Sequence, residues 1–323
     1  MQNFREQMEK YQIKYKKEVL GVEEMGLWRG RQYPHILPER VWNLNLWENI
    51  RGEAQCYFND NEIAWHMQKH NLLSSQVMCV NIFFPLKQHR GILEVWLSHY
   101  FSELERVTKL DFEYVGPKNY FNELGGRGQN RTSSDLAITW QDKEDRKNML
   151  LLEFKFTEPD FGKCSKQGNT NPKRCLSSKD IVSSHKTQCY RSEVGHPYWD
   201  MVLSSNNPFK KESLTVESYC PFHYDFYQLM RNQLLAHCIQ SDPEEDFNKV
   251  EFGVIYHAEN EALTRMSRPF AGEYNPLKAW HNLLKNPDTF HVFTVQEFLD
   301  DIEPNLRGDL ENWRAYLKQR YDL

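Results

Sequence analysis

The spacing of apolar residues changes period several times along this chain, and each change marks an expected element. Residues 3–20 are charged and helix-prone, and residues 21–60, with Trp28, Trp42 and Trp47 among Gly and Pro, read as an irregular packed lead-in. The segment 61–86 predicts a helix ending near Asn71, then a more apolar helix that stops before Pro85. Residues 91–108 predict the clearest helix: Leu93, Leu97, Tyr100 and Leu104 share one stripe, flanked by Trp96, Phe101 and Val107. A strand is expected at 111–115. Residues 135–140 and 149–156 are short runs rich in Leu, Ile, Phe and Trp, separated by a wholly polar octapeptide, which predicts a hairpin. Residues 157–223 carry no clear periodicity. A helix over 224–239, strands at 250–257 and 290–294, and helices at 295–303 and 309–321 complete the order.

That succession predicts an α/β fold, a mixed sheet with helices on both faces. Residues 1–88 are expected to form a helical extension packed on a core of residues 89–303, with an insertion at 157–223. The helix within 304–323 would close against that core.

Composition narrows the class. A chain of 323 residues with 14% aromatics can bury a large core and is globular rather than disordered. No apolar run reaches membrane-spanning length, and the first residues lack a signal-peptide core, so no membrane association is expected. Seven cysteines without an export signal point to a reducing, cytoplasmic setting. The net charge of −5 does not advertise nucleic-acid binding, yet residues 162–191 hold Lys163, Lys166, Lys173, Arg174, Lys179, Lys186 and Arg191 against Asp180 alone. Such a block either neutralises phosphates or is a solvated loop.

The hairpin carries the chemistry. Residues two apart on a strand share a face, so Glu153 and Lys155 point the same way as Leu151. Charges leaving an apolar strand cost folding energy unless something uses them. Asp135 on the neighbouring strand adds a second carboxylate. Two carboxylates beside one lysine suit a hard cation and metal-assisted phosphodiester hydrolysis. The alternative is a cross-strand ion pair of structure alone, which the apolar run 149–156 disfavours because it leaves no solvated side.

Asp135 followed by Glu153-Phe154-Lys155 after a hairpin resembles the PD-(D/E)XK, or restriction endonuclease-like, nuclease superfamily. With 74–86 and 153–158, the pattern is similar to its bacterial restriction-endonuclease branch over roughly residues 60–300. The proline before the aspartate is absent; Ser134 stands there. The resemblance implies a restriction endonuclease-like core and a Mg²⁺- or Mn²⁺-dependent endonuclease, in restriction or phage defence, acting on double-stranded DNA. A homodimer is a further expectation. It implies metal binding by Asp135 and Glu153, with the Phe154 carbonyl, and a third carboxylate from the preceding helix, for which Glu94 at the stripe edge is the choice. Lys155 would position water or offset charge. Gln228 and Arg231, the latter interrupting an apolar helix face, are secondary candidates, as is Glu158. Arg127 and Arg131, in a glycine-rich approach to Asp135, would join Lys163, Lys166, Lys173 and Arg174 on the nucleic-acid backbone. A catalytically inactive nucleic-acid-binding protein on the same fold is the competing reading.

The insertion also holds Cys164, Cys175, Cys189 and Cys220. Four cysteines can hold zinc or an iron–sulfur cluster, but the gaps of 10, 13 and 30 residues contain no Cys-x-x-Cys pair. Free thiols are the default expectation.

Overall fold

The computed structural model describes residues 3–164, 175, 177–223 and 226–323. Its centre is a five-stranded sheet in the order β3-β4-β5-β6-β7. Strands β3 (Leu104–Tyr114), β4 (Ser134–Asp142) and β5 (Lys147–Lys155) run antiparallel, and the expected hairpin is β4–β5. Strands β6 (Phe247–Tyr256) and β7 (Phe290–Thr294) then add in parallel to β5. A separate small hairpin, β1 (Gly26–Trp28) with β2 (Arg31–Tyr33), lies in the lead-in.

Alternation along β4 and β5 builds two cores. Leu136, Ile138, Trp140, Leu150, Leu152 and Phe154 face one way, toward a layer made by α1 (Phe4–Glu18), α2 (Arg51–Asp60), α3 (Ser75–Phe83), α4 (Arg90–Ser98), α10 (Val295–Ile302) and α11 (Asp309–Tyr321). Ala137, Met149 and Leu151 face the other way, toward α8 (Tyr227–Ser241), α9 (Pro276–Leu283) and the insertion. Within 157–223 the described residues include α5 (Ser178–Gln188), α6 (Tyr190–Glu193) and α7 (Tyr198–Leu203), short pieces whose periodicity is too brief to register in the sequence. No helix among the described residues is long and apolar enough to cross a membrane.

Several boundaries move. The helix expected over 91–108 ends at Ser98, and β3 begins at Leu104. Leu104 and Val107 stay buried, but on a strand. The helix expected to end near Asn71 lies earlier, at Arg51–Asp60, while residues 61–74 are largely turns. The N-terminal region is more than a covering. Helix α3 packs directly on β4 and β5. Buried Arg320 of α11 donates to Asn45 Oδ1 (2.6 Å), to the Leu72 carbonyl (3.1 Å) and to Gln12 of α1, tying three distant segments together.

Helix α1 opens on Asn3, whose side chain accepts from the Glu6 amide at 2.9 Å, and docks through Phe4. Phe4 stacks on His257 with ring centroids 4.6 Å apart, and Phe156 flanks the pair. Burial lowers the His257 pKa from 6.5 to about 4. The unfolded chain therefore binds a proton that the native one refuses between those values, so stability falls as pH drops through that window. Wild type is expected to lose on the order of 3 kcal/mol from this group between pH 7 and 4. His257→Gln should flatten that part of the profile, as measured by thermal unfolding against pH. Identical slopes in the two proteins would refute the assignment.

Candidate active site

Three carboxylates form a row across the sheet. The β4–β5 register pairs Leu136 with Leu152, so one residue further it sets Asp135 opposite Glu153. The β3–β4 register pairs Tyr114 with Ser134 and Phe112 with Leu136, which sets Glu113 opposite Asp135. The row lies at the carboxyl ends of the parallel strands β5 and β6, where open α/β sheets leave a crevice. A cleft of about 610 Å³ opens there, and Glu113, Asp135, Glu153, Lys155, Glu158, Gln228 and Arg231 all line it.

Each group is held by specific donors. The Phe154 amide donates to Asp135 Oδ2 at 2.6 Å. Lys155 Nζ donates to Glu153 Oε1 at 2.8 Å and to Gln228 Oε1 at 2.9 Å. Asn232, one turn along α8 from Gln228, donates to Glu153 Oε2 at 2.7 Å. Gln76 of α3 donates to Glu113 Oε1 at 2.6 Å, and Ser133 Oγ to Glu113 Oε2 at 3.0 Å. Glu113 holds a left-handed backbone, φ 48°, a conformation that costs energy outside glycine and gathers at functional sites. Gln228 is docked by its own amide, which donates to the Phe161 carbonyl at 3.0 Å. Gly162 (φ 73°) makes room for it: a Cβ there would stand 3.1 Å from the Gln228 side chain.

The electrostatics follow from burial. Asp135 is pushed well above the ordinary carboxylate range, first by desolvation and then by repulsion from Glu153 and Glu113. Glu113 is also raised, mainly by desolvation. Desolvation opposes the charge on Lys155, but Glu153, Glu158 and Asp135 outweigh it and hold the ammonium above its usual pKa. Lys155 therefore stands as a cation among these carboxylates. Among the described residues, no group of three His, Cys, Asp or Glu side chains is already set to hold an ion.

Other expected residues stand differently. Glu94 accepts from the Val107 amide at 2.8 Å, pinning α4 to β3, and is not part of the cleft. Glu94 is taken up by the Val107 amide of β3, and the carboxylate that stands next to Asp135 is Glu113 on that strand. Arg127 spends its guanidinium on the Phe112 and Glu113 carbonyls (2.6 and 3.2 Å), and Arg131 donates to the Lys118 carbonyl at 2.6 Å. Neither lines the cleft. The glycine-rich approach serves chain packing: a Cβ on Gly128 would collide with the Ala64 carbonyl. Arg231 pairs with Glu123 at 2.9 Å and with Thr132 Oγ1 at 2.8 Å, bracing residues 123–132 against α8. Glu158 accepts from the Phe156 amide at 2.8 Å. Lys163 reaches the cleft rim and pairs with Asp160 at 3.2 Å. Lys166, Lys173 and Arg174 lie outside the described residues.

Glu113, Gln76 and Asn232 escaped the sequence reading. Glu113 sits in a strand that was expected, beside Phe112, and the argument applied to Glu153 reaches it equally. Gln76 stands out as an amide in the apolar run 75–83. Nothing local distinguishes Asn232.

A mixed sheet whose central hairpin carries Asp135 and Glu-Phe-Lys is compatible with a restriction endonuclease-like core. A family model described as "Restriction Endonuclease associating with ARP" matches residues 3–322, and the chain belongs to that family. Membership suggests a nuclease acting on nucleic acid. No curated protein and no solved structure matches the chain significantly.

Burying three carboxylates against one lysine leaves excess negative charge, and relieving it should stabilise the fold. Asp135→Asn is expected to raise metal-free stability at neutral pH by on the order of 1 kcal/mol, as active-site repairs do. The sign holds because a raised carboxylate pKa withdraws stability as pH climbs above the ordinary value. Denaturant titration of both proteins at pH 7.5 checks it, and a less stable variant would contradict the repulsion described.

Proposed function

We propose that this cleft hydrolyses phosphodiester bonds in nucleic acid, most specifically as a Mg²⁺- or Mn²⁺-dependent DNA endonuclease in restriction or phage defence. The observation that carries the reading is the row Glu113, Asp135, Glu153 with Lys155 beside it. The donor set fits a hard divalent cation: oxygen ligands, excess buried negative charge, and a Phe154 carbonyl on the same edge. Asp135 and Glu153 would hold the ion with that carbonyl, and Glu113 is the third carboxylate in place of Glu94. A bound cation would acidify water and neutralise phosphate charge. It would have to compete with the Phe154 amide and with Lys155 for the carboxylate oxygens.

The chain's own groups do the remaining work. Glu153 and Gln228 use two of the three Lys155 donors. The third suits a phosphate oxygen, so Lys155 offsets charge as it builds on the reacting phosphorus. Gln228 and Asn232 orient Lys155 and Glu153 from a single helix face. Arg5 and Lys163 at the cleft rim are the cations placed to meet a nucleic-acid backbone. The family's description links it with ARP, which would be a partner of the nuclease rather than part of the cleft. Double-stranded DNA as substrate, a cytoplasmic setting and a homodimer belong to the same reading.

Supercoiled plasmid incubated with the full chain in Mg²⁺, Mn²⁺ or EDTA is expected to be cut only with metal. Asp135→Asn and Glu153→Gln, which preserve shape, should each lower the rate by at least roughly 10²-fold. Retained metal-dependent cleavage in both folded variants would sink the assignment, and chelator-resistant binding without cutting would favour a binding protein. Removing a side chain that only orients a ligand should act on affinity: Asn232→Ala is expected to weaken Mg²⁺ binding by about 10–100-fold, measured by calorimetry.

A further inference from the structure

The four cysteines of the insertion are widely spaced in sequence but converge in space. Cys164, Cys175, Cys189 and Cys220 all line one small cavity of about 30 Å³, walled by Tyr198, Trp199, Phe222 and Met230, with His223 and with Arg191, whose guanidinium is hydrogen-bonded to Cys164. None of the four is in a disulfide, and the Cys175 and Cys189 side chains are hydrogen-bonded to each other. Cys175, Cys189 and Cys220 are buried, a second group of side chains on the same face of the sheet as the cleft.

Backbone pairing brings them together two by two. The Cys164 amide donates to the His223 carbonyl at 3.0 Å, which lays Cys164 against the turn that starts at Cys220. The Cys175 amide donates to the Gln188 carbonyl at 2.9 Å, which lays Cys175 against Cys189. Amide groups also face the sulfurs: those of Arg191 and Ser192 toward Cys189, Phe222 and His223 toward Cys220, and Tyr190 toward Cys175. The contact with Cys189 holds the Cys175 thiol, and burial the Cys220 thiol, above the ordinary thiol value, so binding an ion would release those protons.

We propose that Cys164, Cys175, Cys189 and Cys220 hold one Zn²⁺ as a structural centre that ties together four separate parts of residues 157–223. Four thiolates are a complete tetrahedral set for zinc. The cavity is small, about 30 Å³, and a single ion bound by four thiolates needs little space of its own. Among the described residues no three of these sulfurs are already at coordination distance, so binding includes inward rotation of the thiol side chains. The centre would stiffen the cleft wall from outside: Tyr227 lines both cavities, and Lys163 on the cleft rim immediately precedes Cys164. A segment of this length with only short helices needs such an organiser.

The full chain, purified without added metal, should carry about one zinc per molecule by plasma mass spectrometry. Cobalt exchange should give the visible bands of a tetrahedral thiolate centre. Cys189→Ser and Cys220→Ser should lose the ion, while Cys56→Ser and Cys238→Ser, outside the cavity, should keep it. If the first two variants fail to fold, a mercurial titrated into wild type should release zinc in step with modification of four thiols. Folded chain without zinc, iron with inorganic sulfide, or a disulfide among these four residues would each overturn the proposal. Metal content is read independently of cleavage, so this test stands whether or not the chain proves to be a nuclease.

Discussion

The buried Lys155–Glu153 pair organises the whole carboxyl edge of the sheet. Both side chains are about 6% exposed, and removing one partner of such a pair typically costs about 3–5 kcal/mol because the other charge is stranded. The chain therefore surrounds the pair with matched groups: Gln228 and Asn232 from α8 on one side, Asp135 with its Phe154 amide on the other. Even so, three carboxylates face one ammonium, and this imbalance is what a cation or a phosphate would relieve. Stability is given up at the point where binding would recover it.

That arrangement demands a rigid platform. Strand β5 is buried on both faces, between a helical layer that includes the first and last helices of the chain and a second core around α8. The residues 1–88 enter this platform, since α3 lies against β4 and β5 and supplies Gln76 to Glu113. Arg320 closes the layer by joining α1, Asn45, Leu72 and α11. The Glu113 left-handed turn is affordable only because Gln76 and Ser133 hold its carboxylate from two directions.

Among the described residues, several arginines near the site are engaged in structure. Arg127, Arg131 and Arg231 are spent on carbonyls, Thr132 and Glu123, fixing the approach to Asp135 rather than reaching outward. An arginine near a candidate site more often serves the loop that carries the site than the ligand. Among the described residues, the cations that line the cleft are Lys155, Arg231, Arg5 and Lys163, each with a carboxylate partner.

By itself the sequence determined the α/β class, the hairpin with Asp135, Glu153 and Lys155 on one face, and the closing strand and helices at 290–321. Each rests on local periodicity: alternation in the hairpin, a 3.6-residue stripe in the late helices. It misjudged residues 99–108, where Leu104 and Val107 satisfy a helical stripe and a strand face equally, and did not foresee that Glu94 would meet the Val107 amide outside the cleft. Only the tertiary structure decided the third carboxylate, because Glu113 meets Asp135 through pairing of strands twenty residues apart. It alone decided Gln76 and Asn232, amides brought to the site by helices on opposite faces of the sheet. It also gathered four cysteines whose spacing carried no motif. Contacts of that kind depend on register and packing between distant segments, and no periodicity along the chain encodes them.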